Sequence, residues 1–129
     1  MGVIISARAP GSAPAMIDNF TASVCVIATT VHMAAHLLLP GVVAWACFRT
    51  RWRLAWLIML ATLAVDIDHL LADPIFDPER CSIGFHPLHS YPAIALYVLA
   101  LSLKPLRIVA AGLLIHMVID SSDCLRMLF

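Results

Sequence analysis

Six histidines and a set of aspartates are spaced along this 129-residue chain as helical pairs and triplets. His32 and His36 are separated by one helical turn, and so are His116 and Asp120. Asp66, His69 and Asp73 follow the same rhythm, with Asp68 between the first two. Residues three and four apart share one face of an α-helix. Imidazoles and carboxylates on facing helices form the N/O donor set that suits Zn2+ or another divalent ion. A bound ion also offsets the cost of burying carboxylates. The segment His86-Pro87-Leu88-His89-Ser90 brings two further imidazoles.

The elements that carry these residues are strongly apolar. The chain is 62% hydrophobic and 12% charged, with a mean hydropathy of +0.94. A soluble domain carries about twice that charge. Crossing the hydrocarbon core takes about 20 apolar residues. Four stretches approach this length: 21–48, 54–71, 89–103 and 106–125. The predicted fold is therefore all-α, a polytopic membrane four-helix bundle forming one domain over 21–129. Residues 1–20, with Pro10, Gly11 and Pro14, read as a flexible tail rather than a signal peptide, because no positive charge precedes a long apolar run. The formal net charge is zero and no basic run occurs, which argues against nucleic-acid binding.

Charge placement orients the bundle. The turns Arg49–Arg53 and Lys104–Arg107 lie on one side of a four-span chain and hold five of its eight Lys and Arg residues. Basic loops favour the cytoplasm. Both termini, the loop 73–87 and the polar ends of the spans are then expected in the periplasm of a bacterial inner membrane. Counting 1.5 Å per residue from the basic turns puts His36 and Asp66 about 18 Å deep and Asp120 about 20 Å deep. His69 and His89 fall at about 22 Å, and His116 at about 14 Å. Four spans thus bring His or Asp to nearly one level in the outer half of the bilayer.

Plainer uses compete with ligation. For His32, a place in a helix interface is preferred. For His36 the two readings balance, and for His116 and Asp120 an interhelical hydrogen bond is the alternative. Three ionisable residues within Asp66-Ile67-Asp68-His69, inside an apolar span, make the strongest functional signal. The expected ligands are His36, Asp66, His69, His89, His116 and Asp120, around one ion or two. His86 or Asp73 is expected as general base or acid at the rim. Asp68 and Ser90 are expected behind the ligands, orienting them. Cys81 and Cys124 both fall near the outer rim, where a disulfide is preferred over thiolate ligation.

The order of these motifs resembles the YdjM/YbcI-like group, inner-membrane proteins predicted to be membrane-bound metal-dependent hydrolases. That group's pattern looks like an early membrane His, an Asp-x-Asp-His, a His-Ser opening a helix, and a final His-x-x-x-Asp. Here these fall at His36, Asp66/Asp68/His69, His89/Ser90 and His116/Asp120. The resemblance covers roughly residues 30–125. This chain is shorter, and has His86-Pro87 where the group often has His-Arg. Its Arg80-Cys81 and Asp123-Cys124 pieces look more like a smaller four-helix membrane family with a His-Pro-Leu-His core. The resemblance implies hydrolysis of a lipid, lipid-linked or periplasmic ester or phosphoester by metal-activated water. Intramembrane His and Asp also mark ion pathways, so a divalent-cation or proton-coupled transport component is the alternative. An accessory subunit of a membrane complex is a third, with membrane lipids as neighbours and homo-oligomerisation left open.

Overall fold

A computed structural model of the protein describes residues 12–71 and 81–126. All regular structure among them is helical. Helix α1 runs Ser12–Cys47, α2 Trp52–Ala61, α3 Tyr91–Ala100 and α4 Arg107–Arg126. Shorter 3-10 segments occupy Arg49–Arg51 and Pro87–His89, and a long one, Thr62–Leu71, continues α2. Two helical stretches are long and apolar enough to cross a membrane, Asn19–Cys47 and Arg49–Leu71. Helix α3 is shorter than the 89–103 stretch expected from the sequence, because Ser90 caps it and the chain turns from Leu101 onward.

The chain divides into two units, Met1–Val31 and His32–Phe129. In the first, Phe20, Val24, Val26, Ile27 and Val31 are exposed. Its hydroxyls close onto the helix itself: Ser23 donates to the Asn19 carbonyl at 2.8 Å and Thr30 to the Val26 carbonyl at 2.7 Å. Such back-bonding removes polar groups from an apolar surface.

The second unit holds the core. Ala44, Ala55 and Met59 are buried together, flanked by Val43, Phe48, Trp56, Ile108, Ala111 and Ile115. Small residues let the helix backbones approach. At Gly112 on α4 a Cβ would lie 2.9 Å from the Met59 Cα and 2.8 Å from the Thr62 hydroxyl oxygen, so only glycine fits. The Trp56 indole lies against Gly41 and donates to the Leu37 carbonyl at 2.9 Å. This ties α2 to α1 beside Pro40, where the missing N–H already breaks the helical ladder.

Above Ala61 the winding tightens. A 3-10 helix has three residues per turn, so residues three apart eclipse. Thr62, Val65 and Asp68 accordingly form the buried line of Thr62–Leu71. Asp66 and His69 lie on the next line, one-third of a turn round. The same segment as an α-helix would place Asp66 and Asp68 on nearly opposite sides. The tighter winding instead leaves both within reach of the unit's other polar groups.

Candidate metal centre

Each polar residue reaches the centre from its own element. Asp66, Asp68 and His69 come from the 3-10 continuation of α2, and His116 and Asp120 from one face of α4. His32 and His36 come from one face of α1. His89 ends the Pro87–His89 turn, which several local bonds hold. The Gly84 amide donates to the His89 carbonyl at 2.9 Å, with Gly84 at φ 85°, a conformation open to glycine. The His89 amide donates to the His86 carbonyl at 3.0 Å. Ser90 caps α3, accepting from the Ala93 amide and donating its hydroxyl to the Pro87 carbonyl.

Four ligand atoms converge at the middle. His116 Nε2 lies 3.0 Å from Asp66 Oδ1 and 3.3 Å from Asp120 Oδ2. His89 Nε2 lies 3.4 Å from Asp66 Oδ1 and 3.3 Å from Asp120 Oδ2. The two Nε2 atoms are 3.3 Å apart. A tetrahedral ion held at about 2.0–2.2 Å sets its ligand atoms about 3.3–3.6 Å from one another. The observed separations are close to that spacing. The His89 and His116 side chains are 0% and 2% exposed, while Asp66 is 47% exposed and forms the open edge of the set.

Asp68 stands behind His89. Its Oδ2 accepts from the Leu88 amide at 2.8 Å and from His89 Nδ1 at 3.1 Å. A carboxylate on Nδ1 holds the proton there in the neutral ring, leaving the Nε2 lone pair facing the centre. His89 Nε2 then meets two carboxylate oxygens and a second imidazole nitrogen. Lone pairs aimed at one another need a cation between them, either protons or a metal ion. Every ion pair formed by Asp66, Asp68 and Asp120 among the described residues is to a histidine, so no Lys or Arg supplies that charge.

The remaining histidines continue the cluster on both sides. His36 Nε2 lies 3.2 Å from Asp120 Oδ1 and 3.0 Å from His32 Nε2. On the other side, His69 Nδ1 faces Asp68 Oδ1 at 3.2 Å and its Nε2 meets the Ser82 hydroxyl at 3.2 Å. The His86 ring stacks on His69 with centroids 3.9 Å apart. All six histidines of the chain therefore belong to one connected set of rings. Cys81 and Cys124 are joined in a disulfide, Cα atoms 4.9 Å apart, which fastens the start of the 81–90 segment to α4 one turn beyond Asp120.

A family model matches residues 26–127. The chain belongs to DUF6122, a family of unknown function. No curated protein and no solved structure matches it. The DUF6122 match covers every histidine of the cluster, and it carries no link to the YdjM/YbcI-like hydrolases.

Of the expected ligands, Asp66, His89, His116 and Asp120 form the four-atom set. His36 sits on its far side, against Asp120 Oδ1. His69 is outside the four-atom set, drawn to Asp68 and Ser82. Ser90 bonds only to backbone, fixing the turn that carries His89. Asp73 lies outside the described residues. The residue the sequence reading passed over is His32, which groups with His36 and Asp120. Its one-turn spacing from His36 was the available signal.

Proposed function

We propose that this protein is a polytopic membrane protein whose buried His/Asp cluster binds a divalent metal ion and hydrolyses an ester or phosphoester of a membrane lipid or lipid-linked substrate. The convergence of Asp66, His89, His116 and Asp120 carries the reading, because four donors at ion-shell spacing, with no Lys or Arg counter-charge among the described residues, fit a cation better than they fit one another. Zn2+ suits two imidazoles and two carboxylates.

The apolar outer faces support the membrane placement. Leu37, Leu38, Leu39, Leu54, Leu57 and Ile67 are all exposed large hydrophobics. Asp66, the exposed edge of the cluster, has exposed Ile67 beside it and exposed Leu70 one turn on. A substrate arriving at Asp66 thus meets the exposed apolar line of Ile67 and Leu70 beside it, which suits a lipid chain. The charge bias of the basic turns favours an opening towards the periplasmic half of a bacterial inner membrane, with both termini outside.

A divalent ion in such a set lowers the pKa of a bound water and polarises an ester or phosphoryl oxygen. The chain's own groups do the rest. Asp68 fixes the His89 ring through Nδ1. The His69–His86 stack, with Ser82, lies where a proton could pass between the cluster and the outer segment. Hydrolysis then breaks the bond from the carbonyl carbon or phosphorus to the leaving oxygen, which takes up a proton while water oxygen stays on the acyl or phosphoryl group.

The reading is tested by metal analysis of detergent-purified protein, followed by assays on phospholipid and carboxyester substrates. Wild type is expected to retain a divalent metal that His116→Ala loses, and to hydrolyse one substrate class only when loaded. Metal-free wild type after exposure to Zn2+ and Mn2+ overturns it. Cation uptake into proteoliposomes without hydrolysis replaces the enzyme with a transport component.

A further inference from the structure

Asp120 shows its two carboxylate oxygens to different histidines. Oδ2 faces His89 and His116, each Nε2 at 3.3 Å. Oδ1 faces α1, with His36 Nε2 at 3.2 Å and His32 Nε2 at 3.6 Å. Those two Nε2 atoms are themselves 3.0 Å apart. The second group is thus a triangle of ligand atoms with edges near the spacing that an ion imposes. All three side chains are largely buried, His32 13%, His36 6% and Asp120 9% exposed.

Hydrogen bonding serves this triangle poorly. A hydrogen on His36 Nε2 can point at His32 or at Asp120 Oδ1, not at both in good geometry. A cation inside the triangle meets all three lone pairs at once. The first cluster does not compete for these atoms, since it uses the other oxygen of Asp120. The His36 and His116 rings lie 4.5 Å apart between centroids, so the two groups are neighbours within one site.

We propose that His32, His36 and Asp120 Oδ1 form a second divalent-cation site, and that Asp120 bridges it to the ion held by Asp66, His89 and His116. The inference rests on the metal centre proposed above. A shared carboxylate sets the two ions at about the 3.5–4 Å separation of two-metal hydrolytic sites. The second site takes three protein atoms and keeps a coordination position free for water, while Asp66, 47% exposed, leaves the first site open to substrate at one edge. His32 then becomes a ligand of the second ion rather than a helix-interface histidine.

Metal stoichiometry and magnetic coupling test this together. Purified protein is stripped, reloaded with Mn2+ alone, desalted and measured for bound metal and by EPR. Wild type is expected to hold about two ions per chain with the exchange-coupled multiline spectrum of a bridged pair. The His32→Ala/His36→Ala variant is expected to hold about one, with the uncoupled spectrum of an isolated ion. The wild-type spectrum decides even where the variant fails to fold. One uncoupled ion in wild type overturns the bridge and leaves the metal centre standing. Two coupled ions persisting in the double variant also overturn it, because the second ion then has other ligands. No bound ion in wild type removes the bridge and the underlying metal centre alike.

Discussion

The unit His32–Phe129 is built from two halves that use the same helices in opposite ways. In one half, Ala44, Ala55 and Met59 pack with Gly112 close by, and helices meet through small apolar surfaces. In the other, the same helices bring imidazoles and carboxylates into van der Waals range, where each group costs energy unless a partner of opposite charge meets it. The first half is over-determined by shape and the second by charge. The first sets how close the helices come, and so the separations available to the second. Variants in the two halves should therefore fail differently: the polar half in what it binds, the packed half in how it holds together.

The largest effect is expected at His116, whose Nε2 lies within 3.3 Å of both Asp66 and Asp120. His116→Ala removes one ligand and leaves two carboxylates facing each other. Metal affinity should fall by more than the roughly 10–100-fold that loss of an outer-shell partner costs. Equilibrium dialysis against Zn2+ measures this. Near wild-type affinity in the variant would mean that the ion, if bound, sits elsewhere.

Asp68→Asn is the next largest. The carboxylate reaches the four-atom set through His89 Nδ1, with the Leu88 amide and His69 Nδ1 as its other partners. An amide keeps the shape but no longer draws the ring proton to Nδ1. Metal affinity is expected to drop about 10–100-fold, with the same stoichiometry at saturating metal. Lost stoichiometry would make Asp68 a ligand itself, and unchanged affinity would make it a packing residue.

How much of this was legible in the sequence divides along the same line. The all-helical class followed from four apolar stretches, and the His/Asp pairs at helical spacing marked the residues that the structure gathers. The pairs on α1 and α4 were legible because residues four apart share a face of any α-helix, whatever it packs against. The winding of Thr62–Leu71 was not legible. No Pro or Gly in that stretch announces a 3-10 helix, and tertiary contacts decide it. With an α-helical wheel, Asp68 pointed away from Asp66; in the 3-10 geometry it becomes the most buried acid of the segment. His32 was passed over for a related reason. Its partner is one particular oxygen of Asp120, and no sequence pattern distinguishes the two oxygens of a carboxylate. The Gly112 approach was equally silent, since it depends on which turn of α2 lies opposite.

The packed half is probed first at Gly112. In Gly112→Ala the new methyl meets the Met59 backbone at 2.9 Å, so α2 and α4 must separate. Overpacking of this kind costs about 1–3 kcal/mol, read as a lower melting temperature of the detergent-solubilised apoprotein. Because Thr62 opens the 3-10 segment that carries Asp66, a smaller loss of metal affinity should accompany it. A variant that melts like wild type would show that the helices have slack at this level.

Trp56→Phe should have the smallest effect and the cleanest separation between the halves. The indole N–H gives one hydrogen bond to the Leu37 carbonyl at 2.9 Å, and the ring covers Gly41 on α1. Phenylalanine keeps most of the ring and loses the donor. A net hydrogen bond is worth about 0.5–1.5 kcal/mol, so the melting temperature should fall slightly. Leu37 directly follows His36 in α1, yet the bond restrains a backbone carbonyl on the core side rather than the imidazole. Metal stoichiometry and affinity are therefore expected to match wild type. If Trp56→Phe instead weakens binding as Asp68→Asn does, the register of α1 is set by that indole. The packed half would then be positioning His32 and His36 directly rather than only holding the helices together.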